Sequence, residues 1–400
     1  MNYNKLVPED SFIGQYLEYM SYVETANSYD FWCAVWAIGT GVGYDVYVDR
    51  PNSAVHLNWY IILCAESGTT RKSTAIDSIS DIVTVCEPIL TNKTSAKNLE
   101  SVLHESYTEK GSASATFAVR ELVTILGRER YVNSMPELLT DLYDCARYRK
   151  SRELEQEKVY VNFISASTPS WLVTAINPSV IEGGFTSRVI FVHDDSRKKS
   201  IAWPQQRPEG TFDFLQQTYI GTILDAKDNG PIGISKGGLR KFTHWYNHRA
   251  THTDPYMASF EAREDDHVLR LAGCLAINDG THEIQSSHIT NAIRVLGEAK
   301  ERAVNLFGGG VSYAAKITNG IAATRKVLIA VGQDGISHTK LYARVRRHVD
   351  TKELRLLMDI MHECGMVQMF KLRGGTVYRA TQHIEQLGVT SEVLSKLNLD

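Results

Sequence analysis

The chain has 400 residues, 43% hydrophobic and 22% charged, an ordinary globular composition long enough for two or three cores. Its net charge of -3 supplies no overall field for nucleic acid, so such contacts must come from local patches. The N-terminus lacks a basic-then-apolar leader and no uninterrupted apolar run reaches ~18 residues, so secretion and a membrane span are not expected.

Residues 1–50 read as a helical layer, with an apolar stripe at Phe12, Tyr16, Leu17 and Met20 and a second apolar segment from Phe31 to Gly43. Tyr44 to Val48 alternates like a strand, and Pro51-Asn52-Ser53 is a turn. The run Trp59 to Ala65 is a buried strand, followed by Glu66-Ser67-Gly68-Thr69-Thr70-Arg71-Lys72-Ser73-Thr74. Gly68 permits a sharp bend, and Thr69 to Ser73 would present backbone N–H groups near a helix N-terminus, where the dipole favours an anion. Lys72 adds a positive charge, and the Ser73 hydroxyl suits a magnesium ion carried by a nucleotide. The usual phosphate loop is G-x-x-x-x-G-K-[ST], whose two glycine positions hold Glu66 and Arg71 here. The plain alternative is a strand–turn–helix with a surface lysine.

Thr74 to Cys86 and Ser95 to His104 read as helices, and Ala113 to Val119 as a second buried strand ending in Arg120-Glu121. In a nucleotide-hydrolysing sheet the strand beside the phosphate loop is expected to end in carboxylates, one near magnesium and one activating water. Glu121 suits the water role and could take the metal contact with Ser73, because Arg120 stands where an aspartate is usual. Met135 to Cys145 looks helical. The cluster Arg147, Tyr148, Arg149, Lys150 and Arg152 precedes a third strand, Lys158 to Ser167. A basic aromatic hairpin there suits a nucleic-acid backbone, and a solvated charged loop is the alternative. At the strand end Thr168 is the first choice to bond the terminal phosphate or attacking water, with Ser167 its rival. Arg188 precedes a fourth strand, Val189 to His193; in a ring of ATPases such an arginine reaches the neighbour's phosphate.

Asp194 to Gly210 reads as an exposed loop, and residues 211–306 as an all-helical lid carrying Arg263 and Arg270 on one helix side. Gly308-Gly309-Gly310 opens a linker (307–317). Residues 318–383 read as three helices and a hairpin, a winged helix with basic residues including Lys352, Arg355, Lys371 and Arg373 that serves DNA or protein docking. Residues 384–400 are a tail. The six cysteines lie far apart without a C-x-x-C, which reads as buried free thiols in a reducing cytoplasm.

Residues 57–73, from Leu57-Asn58 through Lys72-Ser73, together with Arg120-Glu121, resemble the primase–helicase-type AAA+ ATPase domain of bacteriophages and mobile elements, over about residues 10 to 305. The C-terminal part is similar to that of minichromosome-maintenance helicases. The resemblance implies a P-loop α/β core (51–210) in three layers, with the helical N-terminal layer, helical lid and winged helix around it. It implies ATP and Mg2+ as cofactors, with Ser67, Gly68, Thr69, Thr70, Arg71, Lys72, Ser73 and Thr74 around the nucleotide. It also implies Thr168 as sensor, where that family carries asparagine, Arg188 as arginine finger and Arg263 as second sensor. Arg147, Arg149, Lys150 and Arg152 would form a DNA-contacting hairpin. The implied protein is a DNA helicase acting as a hexameric ring on single-stranded DNA in a bacterial host's cytoplasm; the alternative is a nucleotide-switched initiator or loading factor with slow or no hydrolysis.

Overall fold

The computed structural model describes the chain apart from residues 92–93, 127–134, 147, 150–154, 176–183, 197–199, 204, 250–258, 308–323, 325–326, 330–333, 347–350, 364, 373–374 and 382–400. The expected glycine linker, most of the helix from Ile317 to Val331, and Arg147, Lys150, Arg152, Cys364 and Arg373 lie outside the described residues. The chain divides into two units, Met1–Leu306 and Phe307–Asp400.

In the first unit, helix α1 (Phe12–Tyr19) is capped by Ser11, whose hydroxyl accepts from the Gly14 N–H at 3.2 Å. Helix α2 (Asn27–Val42) is apolar all round and buried from Ser28 to Val42, as a core helix must be. An antiparallel hairpin follows, β1 (Tyr47–Arg50) and β2 (Ser53–His56), turning through Asn52. Next come β3 (Tyr60–Cys64), α3 (Lys72–Val83), α4 (Ala96–Lys110), β4 (Ser114–Val119), α5 (Val123–Leu126) and α6 (Met135–Tyr143). A short antiparallel pair, β5 (Tyr148–Arg149) and β6 (Glu155–Gln156), precedes β7 (Tyr160–Ser167) and α7 (Pro169–Ala175). A single helical turn, Thr186–Arg188, enters β8 (Val189–His193). The unit closes with α8 (Thr211–Asn229), β9 (Gly233–Ile234), α9 (Lys236–His248), α10 (Glu264–Asn278), β10 (Glu283–Ile284) and α11 (Ser286–Phe307).

Four strands form one parallel sheet in the order β4-β7-β3-β8, and Leu90 adds a parallel bridge at Phe117. The strand that ends at Glu121 therefore does not lie beside the phosphate-loop strand, contrary to the sequence expectation; β7 lies between them. The reason is burial. β3 and β7 are buried at every position, whereas β4 begins at half-buried Ser114 and β8 ends at half-buried His193. Wholly buried strands have no solvent to satisfy their backbone and take the interior places, where both edges are paired. All four strands end on the same side, bringing the residues after Cys64, Val119, Ser167 and His193 together.

Helix α2 crosses the sheet at close range. A Cβ on Gly39 would stand 2.2 Å from the Leu57 carbonyl oxygen and 2.7 Å from Trp59 Cδ1. Alanine gains ~1 kcal/mol of helix propensity over glycine, but overpacking against a backbone atom costs about 3 kcal/mol. Gly39→Ala is therefore expected to lower unfolding stability by about 2 kcal/mol, read as a lower urea midpoint at unchanged slope; an unchanged or higher midpoint would refute this close packing.

In the second unit, β11 (Ile336–Ser337), α12 (His338–Val345), α13 (Thr351–Glu363), β12 (Val367–Leu372) and β13 (Gly375–Ala380) are placed. The three strands pair antiparallel in the order β11-β13-β12. Ser337 caps α12, accepting from the Lys340 N–H at 3.4 Å. Leu341, Val345, Leu354, Met358 and Met361 bury the helices against Val367 and Tyr378. No helix among the described residues is long and apolar enough to cross a membrane.

Candidate nucleotide-binding site

Strand β3 runs straight into the loop that the sequence singles out. Gly68 bends at φ 76°, a left-handed value that favours glycine, and α3 begins at Lys72. Arg71, at the second glycine position of the usual motif, is also left-handed, at φ 49°. A residue with a Cβ loses about 1–2 kcal/mol there. Its side chain is anchored: Nε and Nη2 lie 2.8 and 2.7 Å from Glu24 Oε2, and Glu24 Oε1 accepts from the Ile201 N–H at 2.7 Å. An ion pair to the segment before α2 thus holds a turn that glycine would adopt freely.

The Lys72 ammonium donates to the carbonyl oxygens of Ala65 at 2.7 Å and Glu66 at 3.2 Å, so it spans the loop. Burial lowers its pKa, against the opposing charges of Glu66 and Asp195. Beside it opens a cavity of about 330 Å3, within the size range of small-ligand pockets. One wall is Ser67, Gly68, Arg71, Lys72 and Ser73. The other is Arg120, Glu121 and Leu122 from the end of β4, with Ser167, Thr168 and Trp171 from the end of β7. Thr69, Thr70 and Thr74 belong to the loop and first helical turn without lining the cavity; Thr70 is buried with its hydroxyl 3.4 Å from that of Tyr29.

Glu121 is exposed, and its backbone is pinned by the Leu122 N–H donating to Ala166 O at 2.9 Å and by Thr124 Oγ1 donating to Glu121 O at 2.7 Å. Arg120 turns across to α3, with Nε 2.8 Å from Asp77 Oδ1. Thr168 also caps α7: its Oγ1 accepts from the Trp171 N–H at 3.4 Å, with Pro169 in the first helical position. A cap and a cavity wall are thus the same hydroxyl.

Arg188 and Arg263 lie elsewhere. Arg188 precedes β8, at the end of the sheet opposite the loop, and the five residues of β8 span roughly 16 Å at ~3.3 Å each. Both arginines bind Asp144, just after α6. Arg188 Nη2 is 2.9 Å from Oδ2, and Arg263 Nη1 and Nη2 are 2.6 and 3.1 Å from Oδ1 and Oδ2. Burial alone would raise the Asp144 carboxyl, but the bonds and charges of Arg263 and then Arg188 hold it below its ordinary range. Arg263 stands just before α10 as its N-cap residue, not on the helix as expected. Arg270, within α10, is buried, donating to His56 O at 2.6 Å and to the Tyr143 hydroxyl. Nearby His267 is pushed down to about 3 by burial and by the Arg270 charge, so it stays neutral.

No protein-family model matches the chain, and no curated protein matches it. Among solved structures it is similar to a full-length MCM homolog from Methanopyrus kandleri, at 9% sequence identity and a TM-score of 0.46. That similarity covers 73% of this chain and 59% of the homolog, so the chain spans about three-fifths of the homolog's length.

Of the basic residues expected to meet DNA, Arg355 and Lys371 are exposed in the second unit. Arg149 lies in β5 and Lys352 in α13. Trp171, Asp77, Glu24 and Asp144 escaped the sequence reading. Trp171 lines the cavity, whereas Asp77, Glu24 and Asp144 act through partners distant in sequence, as Asp144 does with Arg188 and Arg263, 44 and 119 residues away.

Proposed function

We propose that this chain is an ATP-dependent DNA translocase of the AAA+ class, a helicase for replication of a phage or mobile element, working as a ring and most simply a hexamer. One observation carries the reading: Lys72, Ser73, Glu121 and Thr168, from three separate segments, line one cavity at the carboxyl ends of parallel strands. Crevices there are where open α/β sheets bind ligands.

The donor set fits magnesium nucleotide. Among the described residues no three His, Cys, Asp or Glu side chains cluster as a metal cage. Magnesium needs none, because it keeps waters and takes one or two protein oxygens plus phosphates. Ser73 and Glu121 would supply those oxygens, and the ion would neutralise charge on the phosphates. Lys72 would exchange its loop carbonyls for phosphate oxygens. Glu121 would accept a proton from the attacking water, and the Thr168 hydroxyl would hold the terminal phosphate. Arg188 and Arg263 stand too far from their own cavity and would serve the triphosphate of an adjacent copy. Arg147, Arg149, Lys150 and Arg152 would grip single-stranded DNA, and a winged helix with Lys352, Arg355, Lys371 and Arg373 would add a second contact.

A second reading has its own support. Arg120 occupies the usual aspartate position and pairs with Asp77, which favours a nucleotide-switched DNA-binding factor with slow turnover. ATP turnover with and without single-stranded DNA, together with strand displacement, separates the two. The motor is expected to show DNA-stimulated turnover and unwinding; nucleotide binding with neither supports the switch.

A further inference from the structure

Arg188 and Arg263 come from separate elements and meet on one carboxylate. Two adjacent guanidinium groups repel, and free arginine side chains are rotamer-rich. Asp144 removes both problems. It takes two bonds from Arg263 and one from Arg188, whose Nη1 is further held by the Gly184 carbonyl at 2.9 Å. The carboxylate itself stands on a rigid base. Tyr143, the residue before it, is buried, and its carbonyl accepts from Asn58 Nδ2 at 2.8 Å. The Tyr143 ring lies 4.8 Å from the Tyr60 ring, with the Arg270 guanidinium 4.6 Å from its centre. Asp144 is 44% exposed and Arg263 24%, against 12% for Arg188, so an incoming anion meets the cluster from the Asp144 and Arg263 side.

We propose that Asp144 is a positioning residue that sets Arg188 and Arg263 side by side to receive the triphosphate held by the loop of a second copy of this chain. This rests on the ring ATPase reading above. Asp144 touches neither nucleotide nor metal in its own subunit; it acts through the two arginines, whose order is built before the phosphate arrives.

The test uses the full chain with steady-state ATP turnover and binding of a fluorescent ATP analogue. Asp144→Asn is expected to lower kcat ~30-fold while analogue affinity stays within about threefold, because the loop of the same subunit is untouched. Asp144→Glu should recover part of the loss. Mixing Asp144→Asn with Lys72→Ala should restore turnover above either variant alone, since the intact loop of the first then faces the intact arginine pair of the second. If Asp144→Asn does not bind the analogue, Asp144→Glu takes its place in the mixing test. When it binds with near wild-type affinity, and is therefore folded, a lack of recovery on mixing overturns the proposal. So does wild-type kcat in Asp144→Asn when Arg188→Ala is inactive, which leaves the ATPase reading standing. Wild-type turnover in both Lys72→Ala and Arg188→Ala removes this cavity and its neighbour's arginines as the site of hydrolysis, and absence of ATP turnover in the wild-type chain removes the ATPase reading itself.

Discussion

Lys72→Ala is expected to weaken ATP binding at least ~100-fold and to abolish turnover, because two or more charge-assisted hydrogen bonds at about 1.5–3 kcal/mol each are lost. The geometry explains the size. The ammonium already sits 2.7 and 3.2 Å from two loop carbonyls, so its stem is directed along the loop and not into solvent. Burial disfavours its charge, and a phosphate would offset that penalty better than carbonyl dipoles do. The loop should survive the substitution, since Arg71 is tied to Glu24 independently of Lys72. Calorimetric titration with magnesium ATP measures the loss, and circular dichroism checks the fold. Wild-type affinity in a folded variant would mean that the cavity holds something other than a triphosphate.

Glu121→Gln is expected to separate binding from chemistry. The amide keeps the volume and the backbone bonds through Leu122 and Thr124, so nucleotide affinity should stay within a few-fold. It cannot accept a proton, and loss of a general base costs ~10²–10⁴ in rate. The expected result is a protein that binds ATP and, in the presence of DNA, turns it over at least ~100-fold more slowly. Single-turnover hydrolysis measures this directly. An unchanged rate would assign the water to another group, and Arg120 pairing with Asp77 marks that side of the cavity as the place to look.

Much of this site was legible from local pattern. An apolar run ending in a glycine bend, then a lysine and serine at a helix start, describes a chemical arrangement within a dozen residues. Thr168 and Glu121 were legible for the same reason: each follows an apolar run long enough to be a strand. What escaped was relational. Arg71 appeared as a departure from the glycine pattern, but the structure keeps the left-handed turn with an ion pair to Glu24, 47 positions away. Arg120 appeared as a missing aspartate, and only the fold shows that it turns to α3.

The sequence by itself pointed to the four strands of the parallel sheet, to most of the helices and to the residues that carry charge to the strand ends, because burial and turn chemistry act over a few neighbouring residues. It did not show β2, nor the β9–β10 pair inside the expected all-helical lid. Tertiary structure decided which strand stands between β3 and β4, that one cavity gathers Lys72, Glu121 and Thr168, and that Arg188 and Arg263 share Asp144. These are outcomes of packing between distant segments: a wholly buried strand must be paired on both sides, and like charges must find a common counter-ion.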